Sequence, residues 1–164
     1  MNFLDKLIHK DNHSILAVTH GKVLHIEKIP DHAFSNRLIG DGLAIEINSP
    51  HIYAPCTGTI NSIASTRHAF TILLENGVEI LVHIGLNTSK PNEHDFNYHV
   101  NVGDHITPDT HILTLSQQFL HSHQFKVITP IIILNSHEHP IKIMTTSSYT
   151  KKGKINQVPV RFYC

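Results

Sequence analysis

From Ser14 onward the apolar residues fall in short runs, each bounded by glycine, proline, asparagine or aspartate. ILAVTHGKVLHIEKI reads as a strand pair around Gly21, and LIGDGLAIEI as apolar runs on either side of a turn or tight bend at Gly40-Asp41-Gly42. In IYAPCTGTINSIAS, Pro55 and Gly58 bracket another turn. HILTLS, FKVITPIIIL and VPVRFY add later segments rich in β-branched residues. Turn signals recur every roughly 8–12 residues, the spacing of a sandwich or barrel. Only QQFLHSHQF, residues 117–125, suits a helical turn. The pattern predicts an all-β fold: one compact antiparallel β-sandwich or barrel with short helical turns, spanning 14–164.

The first thirteen residues differ. Phe3, Leu4, Leu7 and Ile8 have helical spacing, with Asp5, Lys6 and Lys10 on the other side. A helix this short is marginal alone in water. The expectation for 1–13 is an amphipathic arm, either disordered or making weak contact with a membrane surface through residues 1–10.

One segment, HAFTILLENGVEILVHIG at 68–85, is an apolar hairpin with a histidine near each end. Asn76-Gly77 favours a two-residue type I′ turn, since both central positions need positive φ. Glu75 would then face Val78, and His83 would face Phe70. His68, two residues before Phe70, would share a sheet face with His83 as its diagonal neighbour, about 7–8 Å away between backbones. A shift of one residue would separate them. Spacing alone leaves three readings open: structural histidines, a pair of metal ligands in need of further donors, or a nucleophile with an electrostatic partner.

The nucleophile reading has sound chemistry. Imidazole has an ordinary pKa near ~6.5, so its neutral form is abundant at neutral pH. Attack on phosphorus gives a reactive N–P bond that can pass the group onward. The transition state is loose, so the protein mainly positions groups and stabilises charge, which a second imidazole N–H can do. Thr66, just upstream, has a hydroxyl able to fix the tautomer of His68.

Composition narrows the field. The 164 residues suit a single domain with a sizeable core. Thirteen basic and thirteen acidic residues balance, so no broad field favours nucleic acid as a partner. Sixteen histidines make the charge sensitive to mild acid, and they weaken any motif built on histidine alone. Thus His121-Ser-His123 and His137-Glu-His139 could ligate a metal or sit on the surface by chance. Cys56 and Cys164 do not make a disulfide framework and suggest reduced thiols in a cytosolic protein. No signal peptide or apolar run of about 20 residues is evident.

The chain resembles the glucose-type enzyme IIA domain of the bacterial phosphoenolpyruvate-dependent sugar phosphotransferase system. The likeness lies in IEKIPDHAFSNRLIGDGLAIEI at 26–47, APCTGTI at 54–60, STRHAF at 65–70, GVEILVHIGLNT at 77–88, NVGD at 101–104 and TPIIILN at 129–135. It implies a compact β-sandwich or barrel and a cytoplasmic phosphocarrier with a transient phosphohistidine. His83 matches the phosphorylated histidine, His68 its supporting histidine and Thr66 the hydroxyl residue. The implied donor is the histidine-containing phosphocarrier protein; the implied acceptor is a cysteine of a sugar-permease enzyme IIB domain. No cofactor or resident metal is expected. Asp31 and Arg37 could border a docking face or be plain solvated charges. Ala64 and Leu81 stand where aromatics can form that face. The alternatives are a IIA-like regulatory module controlled by phosphorylation and, further off, a zinc metallopeptidase of similar barrel shape.

Overall fold

The structure is a computed structural model, and it describes residues 14–86, 92–121, 126–143 and 160–162. The expected arm at 1–13 lies outside them. Among the described residues, thirteen strands form three antiparallel sheets. The largest has seven strands in the order β2 (Gly21–His25), β3 (Asp41–Ile47), β11 (Ile128–Ile133), β7 (Glu79–His83), β6 (Ala69–Leu73), β5 (Gly58–Ile63) and β9 (His105–Ile106). A second runs β4 (His51–Tyr53), β10 (His111–Leu115), β8 (Phe96–Tyr98), and a third runs β1 (Ser14–Ile15), β13 (Val160–Phe162), β12 (Ile141–Ile143). Among the described residues, no helix is long and apolar enough to cross a membrane.

Period-two alternation divides the large sheet into two faces. Leu43, Ile45, Phe70, Ile72, Ile80, Val82, Ile131 and Ile133 join the main core. Ala44 and Ile132, with partly buried Leu81, point the other way, into a smaller cluster with Ile26, Ile29 and Phe34. That second face is covered by the stretch after β2: a 3-10 turn at Ile26–Lys28 and a helix at His32–Ser35. Asp31 caps this helix by accepting from the Ala33 N–H at 2.8 Å. Covering both faces explains why ITPIII in β11 is apolar nearly throughout.

Two turn expectations need correction. Gly21 does not join a strand pair: β1 pairs with β13, and β2, which starts at Gly21, pairs with β3. Gly40-Asp41-Gly42 is a strand entry, because Asp41 already faces Ile133 and Gly42 faces Ile132. A Cβ on Gly42 would lie 2.0 Å from the Ile131 carbonyl oxygen, so glycine serves close backbone approach there. The bend after Pro55 and the helix at Gln117–His121 do fall where expected.

Candidate functional site

The β6–β7 hairpin forms, but one residue out of the expected register. Leu74 N–H donates to Val78 O at 2.9 Å and Gly77 N–H to Leu74 O at 3.0 Å, enclosing Glu75, Asn76 and Gly77. This three-residue loop places only Gly77 at positive φ, at 85°. Asn76 instead accepts from Val78 N–H with its side chain. His83 therefore faces Ala69, with Phe70 opposite Val82. Core packing selects this register, since it sends Phe70, Ile72, Ile80 and Val82 inward together.

The shift would separate the histidines if His68 belonged to the strand. It does not. His68 ends a four-residue loop closed by Ala64 N–H donating to Ala69 O at 2.9 Å. Arg67, just before it, is left-handed at φ 62°, and the chain bends at His68 itself. That bend frees the imidazole from strand alternation. The His68 and His83 rings meet with centroids 4.7 Å apart at 77°, edge to face.

Each ring is held. Thr66 Oγ1 lies 2.5 Å from His68 Nδ1. The loop is tied to β8: Tyr98 hydroxyl donates to Arg67 O at 2.9 Å, and Arg67 Nε donates to Phe96 O at 3.2 Å. The Arg67 guanidinium also lies over the Tyr98 ring at 5.2 Å. On the other side, Phe34 meets His83 edge to face at 5.5 Å. Ala69 opposite His83 leaves its face of the hairpin uncrowded.

His83 is half-buried, and its Nδ1 is buried without a partner in strict hydrogen-bonding geometry. Burial lowers the His83 pKa, as does the neighbouring His68 charge; the Gly85 backbone and Asp31 oppose the shift. Burial lowers the His68 pKa too. Both rings thus favour the neutral form more than free imidazole does.

The structure brings Thr66, His68 and His83 together. Sequence reasoning missed Phe34: its spacing in DHAFSNR marked no contact, and only a helix folded over the second sheet face brings it to His83. Asp31 acts on that site as cap and nearby charge. Arg37 instead pairs with Glu27 at 2.5 Å and Asp41 at 3.0 Å. Ala64 closes the His68 loop, while Leu81 packs on the smaller cluster. Cys56 is buried, its thiol pushed up to about 12 by burial, which makes it inert. As they stand, no three His, Cys, Asp or Glu side chains among the described residues are set around one metal ion.

Comparison with known proteins decides the family. Residues 13–139 match the family model for the phosphoenolpyruvate-dependent sugar phosphotransferase system, EIIA 1. The chain belongs to this family. It is similar to a PTS system glucose-specific EIIA component from Borreliella burgdorferi, 39% identical over 138 residues, covering 84% of this chain and 73% of that protein. A PTS system glucose-specific EIIA component from Buchnera aphidicola is 34% identical over 141 residues, covering 82% of this chain and 84% of that protein. The glucose permease IIA from Mycoplasma capricolum superposes with a TM-score of 0.78 at 25% identity over 100% of both chains. The chain is a phosphocarrier of the sugar phosphotransferase system. These matches lend no support to the metallopeptidase reading or to a purely regulatory module.

Proposed function

We propose that His83 is the residue that carries the phosphoryl group, and that His68 stabilises the group in transit. The supporting observation is the pair of rings at 4.7 Å, one half-buried and both biased toward the neutral form. With Nδ1 of His83 turned inward, Nε2 is the nitrogen left to react. Its lone pair forms a new N–P bond as the donor's N–P bond breaks, and the donor imidazole keeps the released electron pair. Thr66 Oγ1 lies 2.5 Å from His68 Nδ1; in this role the hydroxyl donates to Nδ1, which puts the His68 proton on Nε2, free to donate to a phosphoryl oxygen. In the second step an acceptor thiolate attacks the same phosphorus and His83 leaves.

The donor is the histidine-containing phosphocarrier protein, and the acceptor is a cysteine of a sugar-permease IIB domain. Leu38 and Ile39, exposed just beyond the helix whose Phe34 meets His83, give such partners an apolar place to dock. Reconstitution tests this. With phosphoenolpyruvate, enzyme I and the phosphocarrier, the protein takes up one acid-labile phosphoryl group and passes it to an added IIB domain. His83→Ala takes up none. Uptake by His83→Ala at normal stoichiometry would overturn the assignment.

A further inference from the structure

A second group of imidazoles lies on the outer face of the β4–β10–β8 sheet, and phosphoryl transfer has no use for it. Its origin is a β-bulge. In β10 the register slips between His111, opposite Tyr53, and Leu113, opposite Ile52. Ile112 and Leu113 consequently both point into the core, each fully buried. His111 and Thr114, three residues apart, would lie on opposite faces of a regular strand; here both face outward.

Thr114 faces His51 across the β4 ladder, and His99 follows directly on β8, its N–H donating to Ile112 O at 2.8 Å. Three rings, two from strands β4 and β10 and one from the residue after β8, are thereby gathered. The His99 and His111 centroids are 4.4 Å apart, those of His51 and His111 are 5.2 Å apart, and Tyr53 stacks on His111 at 5.0 Å.

The polar atoms converge as well. His99 Nε2 is 2.8 Å from Thr114 Oγ1, which is 3.2 Å from His111 Nε2. His111 Nε2 is in turn 3.4 Å from His51 Nδ1. The first distance is an ordinary hydrogen bond, whereas the last lies beyond the roughly 2.7–3.2 Å usual when a ring or backbone N–H donates to oxygen. It suits two nitrogens on one ion: ligands at ~2.0–2.1 Å in a tetrahedron are about 3.3 Å apart.

We propose that His51 Nδ1 and His111 Nε2 form an open binding site for a borderline divalent cation of the zinc class, with the Thr114 hydroxyl, water and a rotated His99 ring available for the remaining positions. Imidazole suits zinc, copper and nickel, whereas the absence of a carboxylate argues against calcium or magnesium. His51 and His99 are solvent-exposed, so an ion can enter.

Titration of metal-free, untagged protein with zinc chloride, followed by calorimetry and imidazole NMR, tests the proposal. Zinc should move the ring signals of His51, His99 and His111 together in the wild type. His51→Gln and His111→Gln should each remove one binding event, while phosphoryl uptake stays unchanged. His68→Gln/His83→Gln should retain that event, which separates this site from the phosphoryl-transfer pair. A His51→Gln isotherm identical to wild type would overturn the proposal. So would zinc-induced shifts confined to His68 and His83 or scattered over unrelated histidines.

Discussion

At the scale of single residues, the account divides labour between two rings by their surroundings. His83 has its Nδ1 buried and stands against Phe34; His68 is tethered at Nδ1 by Thr66. His68→Gln should accept label on His83 but slow onward transfer, because an amide N–H can replace only part of what a fixed imidazole donor supplies. Quench-flow transfer to a IIB domain measures that step. Thr66→Ala should slow transfer by less, since His68 keeps its place and loses only the group that sets its tautomer. Phe34→Ala removes a buried ring and should destabilise the fold by about 3 kcal/mol. It should also move the His83 titration midpoint back up toward the ordinary histidine value, as water reaches the ring. NMR titration of the imidazole signals reads that shift directly.

Among the elements, the β6–β7 hairpin shows what the sequence carries and what it hides. Alternation and the Asn76-Gly77 signal correctly announce two strands and a turn. They do not separate a two-residue loop from a three-residue one, because both use a glycine at positive φ. Inward packing of Phe70, Ile72, Ile80 and Val82 settles the register, and that is a tertiary fact. The histidine pair was nevertheless legible, through an argument that needed His68 in a strand when it sits in a loop. The bend at Arg67, held by Tyr98 and the Phe96 carbonyl from β8, restores the contact that the register shift would have broken. Phe34 was not legible, since its contact with His83 depends on a helix folding over the far face of the sheet. Nor was the bulge at Ile112, since the adjacent apolar residues Ile112 and Leu113 suit a strand buried on both faces as well as a bulge. Gly77→Ala should cost about 1 kcal/mol, from the left-handed φ alone, because open space surrounds the added methyl group. Chemical denaturation should show this loss with the transfer rate unaltered.

Across the whole molecule, the fold stands as an apolar β scaffold that carries two groups of histidines, one at the β6–β7 hairpin and one on the β4–β10–β8 sheet. His68, His83 and His111 all have pKa values lowered from 6.5, chiefly by burial. In the window below 6.5 the unfolded chain binds more protons than the folded one, so stability rises with pH there. This stabilisation is complete above the unfolded value and is lost as pH falls through the folded values. Acidification from about pH 7 should therefore lower the denaturation midpoint, and His83→Gln should flatten that dependence. Equilibrium denaturation at a series of pH values, for both proteins, checks the slope.

The most direct measurement of the central claim is heteronuclear NMR on protein phosphorylated through the complete donor chain, reading which imidazole nitrogen couples to phosphorus. The account predicts coupling to Nε2 of His83, together with a perturbed His68 ring. Phosphorus on any other residue, or on His83 with the His68 signals unmoved, would contradict it.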